Sequence, residues 1–337
     1  MYRQVYQGSQ GGATYVPLEI NSRLIGKSTP KLAKMLTWKY AHLSGKQTQT
    51  DLSENHNLKF SIKLIQSVNG RVGDILTAKE QKWKYVDPVI EEDVVSIGIS
   101  RDGTTTLIKN EGYKETMVGT IALYNKEGNR QHTVYLGSSP QHGKAVFDYD
   151  FSQQIERIQH KYPKAEMVGI ADGEKGNWTF LEKYTSVQIL DFWHATEYLA
   201  AYAKIAYKTE DERKEWLEKS CKKLKHKRGA ASRLLKEMSN YALSHKIKDK
   251  ENPVSRAVTY FTNQKVRMKY WKYTEKGLPI GSGVVEAACK TLVKQRFSRS
   301  GSRWTRITVD HILLSKSMIL TNGRWKQFWA KLKRYGL

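Results

Sequence analysis

The chain has 337 residues, two cysteines and a formal net charge of +24, a length that suits two domains or one domain with a large insertion. Cys221 and Cys289 show no C-x-x-C spacing, which argues against a disulfide framework or a cysteine-built zinc site. No long apolar run and no amino-terminal signal pattern occurs, so a cytoplasmic protein without a membrane partner is expected.

The charge is unevenly spread. Residues 1–200 carry 24 Lys/Arg against 22 Asp/Glu, and residues 201–337 carry 33 against 11. A net charge of +22 on the second part predicts a polyanionic partner. Tryptophans and tyrosines scattered among the basic residues suit a nucleic acid better than a membrane surface. The alternative is a merely solvated basic surface.

The chain opens with Tyr2 and Tyr6 before a Gly-Ser-Gln-Gly-Gly run at 8–12, the pattern of a strand and turn. Thr29-Pro30 starts a helix, with a capping residue before a proline at the first helical position. That helix should run to about residue 44. Two more should follow over 45–57 and from near Ser61 towards residue 84. Three short helices could form a helix-turn-helix that reads DNA, or a cap that packs on the next domain.

From Val94 the period changes to alternation. A strand over 94–100 should end at Arg101-Asp102-Gly103, with a second strand drawn from Leu107-Ile108 and 117–124 and a third over 133–136. A helix should cover 144–162, closed by Pro163. Met167 to Ala171 then reads as a buried strand ending on Asp172-Gly173. A helix over 178–183 and a short strand over 187–190, ending on Asp191, come next.

Three antiparallel strands, a helix, a strand, a helix and a strand is the element order of an RNase-H-like α/β sheet. In that fold the first and fourth strands are neighbours, which would bring Asp102 beside Asp172. The bland alternatives are that both Asp-Gly pairs are turns and that Asp191 caps the next helix, with His194 a satisfied core histidine.

From Phe192 to about Gly277 the pattern is helical and basic, most densely at Lys222, Lys223, Lys225, Lys227 and Arg228. Ser282 can cap a helix over 283–297 that carries Glu286. Set among Val284, Val285, Ala287 and Ala288, Glu286 should lie on an apolar face and need a partner or a metal. Otherwise it complements the helix amino terminus. Arg303-Trp304 follows a glycine turn, so Trp304 could stack on an unpaired base or pack in the core. A last apolar helix (Val309, Ile312, Leu313, Ile319) and a basic aromatic tail close the chain.

The expected organisation is a helical region over 1–90 with possible DNA-binding capacity, an RNase-H-like core over 91–200, a basic helical insertion over 201–277, and a segment over 278–337 holding the catalytic helix and basic tail. Two strand-end aspartates and a helix-borne glutamate, split by a basic insertion, form the pattern of a metal-dependent phosphoryl-transfer site. Three carboxylates suit hard cations such as Mg²⁺ or Mn²⁺.

Five ordered stretches, at 113–120, 169–173, 190–199, 279–290 and 299–304, resemble the ISKra-type insertion-sequence transposases, distant relatives of the Mutator-like enzymes. They read Tyr-Lys-Glu-Thr-Met-Val-Gly-Thr, Gly-Ile-Ala-Asp-Gly, Leu-Asp-Phe-Trp-His-Ala-Thr-Glu-Tyr-Leu, Pro-Ile-Gly-Ser-Gly-Val-Val-Glu-Ala-Ala-Cys-Lys and Arg-Ser-Gly-Ser-Arg-Trp. The resemblance spans roughly residues 15–335. It implies a DDE recombinase whose acidic triad is Asp102, Asp172 and Glu286, with Asp191 and His194 as the acid-x-x-His element behind it. It also implies double-stranded DNA partners (transposon ends and target) and a homo-oligomer assembled on DNA. Longer relatives carry a further amino-terminal region, so the resemblance implies a truncated or frame-shifted copy. The alternatives are an inactive DNA-binding remnant and an RNase-H-like nuclease without strand transfer.

Overall fold

In the computed structural model the described residues are 4–17, 22–80, 82–140 and 143–336. Tyr2 lies outside them. The opening strand-and-turn pattern is a single antiparallel bridge between Tyr6 and Tyr15.

Three helices follow: α1 (Pro30–His42), α2 (Gly45–His56) and α3 (Ile62–Glu80). Thr29 caps α1, with proline in its first turn, and Ser44 and Gln47 form a reciprocal capping box on α2. Ala33, Leu36 and Tyr40 share one face of α1 and join Ile65, Val68, Val72 and Leu76 of α3 in a common core. That core also contains Ile108 and Val118 of the sheet and Val309, Ile312 and Leu313 near the carboxyl end. The three helices therefore share one core with the sheet and pack chiefly against the helix that holds Val309, Ile312 and Leu313.

The five strands are β1 (Ser96–Ile108), β2 (Gly112–Tyr124), β3 (Arg130–Ser138), β4 (Glu166–Ala171) and β5 (Val187–Leu190). They lie in the order β3-β2-β1-β4-β5. The first three are antiparallel, and β4 runs parallel to both β1 and β5. Helices α4 (Gly143–Lys161) and α5 (Lys175–Leu181) make the connections to β4 and β5. The architecture is thus α/β with a mixed sheet, three antiparallel strands followed by two parallel ones, and β1 adjoins β4 as the element order required.

One boundary differs in a way that matters. β1 does not stop at Arg101-Asp102-Gly103 but runs on to Ile108, pairing Asp102 with Val118 and Gly103 with Met117. Leu107 and Ile108 belong to β1, not to the second strand. The β-branched residues Thr104, Thr105 and Thr106 favour extended backbone. A buried Thr106–Thr116 hydroxyl pair 2.8 Å apart also ties the extension to β2. The turn falls instead at Asn110 and Gly112, both at positive φ.

After β5 come α6 (Phe192–Ala206), α7 (Glu210–His226), α8 (Ala230–Ser244), α9 (Pro253–Gln264), a 3₁₀ turn (Lys265–Arg267) and α10 (Tyr270–Glu275). Leu199, Leu224, Leu234, Met238 and Phe261 of this helical region share a second core with Ile97, Ile99 and Ile121 of the sheet. α11 (Gly283–Ala288) passes through a π-helical turn (Cys289–Lys294) into α12 (Gln295–Phe297), and α13 (Arg306–Leu320) and α14 (Arg324–Tyr335) close the fold. Among the described residues no helix is long and apolar enough to cross a membrane.

Two cations are buried beside α1: Arg296 is 2 % exposed and Lys316 is 4 % exposed. The guanidinium of Arg296 donates to the Tyr40 carbonyl at 3.0 Å and lies 4.8 and 4.5 Å from the Tyr40 and Trp304 ring centres. Burial, reinforced by the charges of Arg296 and Arg299, pushes the Lys316 ammonium down to about 8. The unfolded chain holds that proton up to about 10.4. Between these values the unfolded state binds more protons, so this residue makes stability rise with pH across the window. Lys316→Met is expected to raise stability at pH 7 by roughly 1–3 kcal/mol and to flatten that rise. Thermal unfolding of both proteins from pH 7 to 10 measures the difference.

Candidate active site

Continued past its last paired residues, the sheet register brings three aspartates to one end of the sheet. β1 pairs with β4 from Ser96–Glu166 to Ile99–Gly169, the same offset that separates Asp102 from Asp172. The last β4–β5 pair is Ala171–Leu190, and the next residue on each strand is Asp172 and Asp191. Alternation along β1 sends Ile97, Ile99 and Arg101 to one face, and Asp102, Ile108 and the residues in phase with them to the other. Asp102 therefore faces the helix that carries Glu286. Its Oδ2 is 3.5 Å from the Cys289 thiol, and its Oδ1 accepts from the Gly103 N–H at 2.7 Å. Burial, and then the charges of Asp172 and Glu286, push the Asp102 carboxyl above its ordinary value, against the opposing pull of those two hydrogen bonds.

Asp172 sits on a braced turn. Gly173 has φ +108°, and a Cβ there would lie 3.1 Å from the Tyr260 ring, so both backbone conformation and close approach require glycine. Tyr260 donates to the Asp172 carbonyl at 2.6 Å and Gln264 to the Gly173 carbonyl at 3.0 Å. Both reach in from α9, so the basic helical region holds the acid's backbone. From the other side Asn177 donates to Asp172 Oδ1 at 3.3 Å. Asn177 itself accepts from buried Arg101 at 3.0 Å, and Arg101 also pairs with Asp148 and donates to the Gly176 carbonyl at 2.6 Å.

Asp191 is fully buried and is a helix cap with a second task. One oxygen accepts from the His194 N–H at 2.8 Å, and the other accepts from the Ser282 N–H. It thereby ties α6 to the loop that leads into α11. The Ser282 hydroxyl does not cap α11 but donates to Glu286 Oε1 at 2.6 Å.

Glu286 departs from its expected setting. Val285 and Ala288 face inward, whereas Glu286 is exposed, so no buried charge has to be neutralised. Only part of the local apolar run is turned to the core. The ligand atoms of Asp191, His194 and Glu286 lie within 4.8 Å of one another, the group among the described residues that could hold a metal ion by this measure. Asp102 and Asp172 act on this group at longer range.

His194 Nδ1 is 3.1 Å from Glu197 and Nε2 is 3.9 Å from Glu286. Burial alone would lower its pKa, but the carboxylates of Asp191, Glu197 and Asp172 outweigh burial and raise it. If the site cleaves DNA, as proposed below, His194→Ala is expected to slow cleavage by roughly 10- to 100-fold, the usual cost of losing a group that orients ligands, with DNA affinity retained. Unchanged cleavage would leave His194 as a structural residue of α6.

Asp102, Glu286 and Cys289 line a cleft of about 600 Å³, together with Lys290 and Lys294. Both lysines are exposed, one and two helical steps beyond Glu286 on the same face. The four-residue spacing of 286, 290 and 294 was a readable signal for them. Tyr260, Gln264, Arg101 and Asn177 had none, because each acts across the fold.

Of the basic residues singled out in the sequence, Lys222, Lys223, Lys227, Arg228 and Arg303 are exposed and Lys225 is half-buried. Trp304 does not take the base-stacking role its sequence setting suggested. It is 7 % exposed, its indole N–H donates to the Phe297 carbonyl at 3.1 Å, and Arg296 covers its ring. It belongs to the core and cannot stack on a base. In comparisons with known proteins, no family model matches this chain, and no curated protein matches it.

Proposed function

We propose that the protein is a metal-dependent DNA transposase of the DDE type, built on an RNase-H-like sheet and akin to the ISKra-type enzymes. It would cleave and join strands at the ends of its element. This reading rests on Asp102 and Asp172 lying on adjacent parallel strands at the offset of the paired residues, with Glu286 lining one cleft with Asp102. The charges of Asp172 and Glu286 are felt at Asp102, which is what acids gathered to share cations would show.

The oxygen donors fit Mg²⁺ or Mn²⁺, and the nearby imidazole of His194 suits Mn²⁺ better than Mg²⁺. Asp102, Asp172 and Glu286 would hold the ions. When bound, these ions activate an attacking water or 3′-hydroxyl and stabilise the leaving oxygen in an in-line displacement at phosphorus. The chain's own part is positional. Arg101 and Asn177 fix Asp172 from one side, and Tyr260 and Gln264 fix its backbone from the other. Asp191 fixes the loop before Glu286, and Ser282 holds the Glu286 carboxylate. Lys290 and Lys294 would take DNA phosphates at the cleft wall. A cytoplasmic location and assembly as a homo-oligomer on DNA belong to the same proposal.

The test is a cleavage and joining assay with Mg²⁺ or Mn²⁺ on DNA carrying the element's own ends, intact or pre-cut. Joined product from pre-cut ends supports a transposase. Cleavage without joining indicates a nuclease, and binding without cleavage an inactive remnant.

A further inference from the structure

Trp193 is the residue between the buried Phe192 and His194 at the start of α6, and it is 66 % exposed. Large aromatic surface left in water at that position is unfavourable unless something covers it. The ring is not loose. It meets Phe192 edge-on with centres 6.0 Å apart. Its Cδ1 and Nε1 atoms would lie 3.4 and 3.6 Å from a Cβ placed on Gly281, and Asp191 Oδ2 is 3.6 Å from the same point. The indole's pyrrole edge is thus seated on the loop that delivers Glu286, beside the carboxylate that ties that loop to α6. A rigid aromatic with free surface, next to the acids and one residue from His194, is placed for a flat apolar ligand at the site of cleavage.

We propose that Trp193 stacks on an unpaired nucleobase of the DNA strand held at the acidic site, a proposal that rests on the DNA-processing reading above. Phosphate contacts cannot serve this purpose, because they hold paired and unpaired DNA alike, whereas a base offers its π-face only once it leaves its partner. The ligand class is therefore a single-stranded or locally melted end, and Trp193 sorts such ends from intact duplex. Stacking of this kind changes affinity by roughly 5- to 150-fold per base.

The experiment measures binding of a labelled 15-nucleotide single strand and a blunt 15-base-pair duplex in EDTA at one fixed salt concentration. Wild type, Trp193→Ala and Trp193→Phe are compared. Trp193→Ala is expected to weaken single-strand binding at least about fivefold while duplex binding changes less than twofold. Trp193→Phe should keep most of the affinity. A strand of the same length made wholly of abasic sites should bind wild type and Trp193→Ala equally.

Equal loss on strand and duplex, no loss on either, or a difference that persists on the abasic strand would each overturn the proposal. So would a change of oligomeric state in Trp193→Ala with strand affinity intact, which would assign the ring to contact with a second copy. Because the exposed ring supports little of the core, matching thermal unfolding of the variant excludes misfolding. The assay contains no metal and needs no cleavage. Trp193-dependent strand binding in a protein that never cleaves would therefore refute the transposase reading and leave the stacking site standing.

Discussion

Asp172→Asn is expected to eliminate metal-dependent cleavage while leaving DNA affinity unchanged or modestly higher. The substitution keeps the shape of the side chain, and Asn177 can remain close to its oxygen. The loss is electrostatic, since an amide cannot supply the charge that would hold a divalent cation against the scissile phosphate. Lewis-acid stabilisation is worth several kcal/mol, so the rate should fall by about 10³-fold or more. Affinity would follow a different rule, because on this proposal it comes from cations elsewhere on the chain and one acid fewer reduces repulsion of the phosphates. Filter binding and a Mg²⁺ nicking assay on the same preparation separate the two effects. A variant that nicks like the wild type would end the proposed mechanism, however well it binds.

The second large effect concerns the basic run at the end of α7. Reversing Lys222, Lys223, Lys225, Lys227 and Arg228 to glutamate should weaken binding to all DNA sequences about equally and flatten its salt dependence. Each phosphate neutralised contributes about −0.9 to the slope of log affinity against log salt, so losing five contacts would flatten it by up to about 4.5. Arg228 also lies over Trp271, 5.9 Å from its ring centre, so its replacement removes a packing contact as well as a charge. Titrations from 50 to 300 mM salt on two unrelated duplexes would measure the slope. A parallel shift with no change of slope would show that these residues do not meet DNA phosphates.

Much of the fold could be read from local pattern, because its strongest signals are local. β4 and β5 were visible as short apolar runs ending on acids, and α1 was marked by Thr29-Pro30. The end of β1 was not. Asp102-Gly103 carries a turn signal, and the ladder with β2 together with the Thr106–Thr116 pair overrides it. The effect on the site is favourable, since Asp102 is held in mid-strand against Val118 and not at a hairpin tip.

Trp304 misled for the opposite reason. An aromatic beside an exposed arginine reads as a nucleic-acid contact, and nothing nearby in sequence shows that Arg296 and the Phe297 carbonyl cover its ring and its N–H. Glu286 was legible as an isolated acid in an apolar run, but its exposure depends on which face of α11 packs on β1 and β2. The braces on Asp172 lie furthest from any sequence signal. Tyr260 and Gln264 are 88 and 91 residues from their partners, and only the packing of α9 against α6 brings them in.

In the proposed mechanism Asp102, Asp172 and Glu286 together hold the ions that drive phosphoryl transfer. The most direct measurement is anomalous diffraction at the manganese edge from crystals of the protein with Mn²⁺ and DNA. Two anomalous peaks about 3.5–4 Å apart are expected, bounded by the carboxylates of Asp102, Asp172 and Glu286, with His194 alongside. A single peak held by Asp191, His194 and Glu286, with Asp102 and Asp172 taking no part, would contradict it.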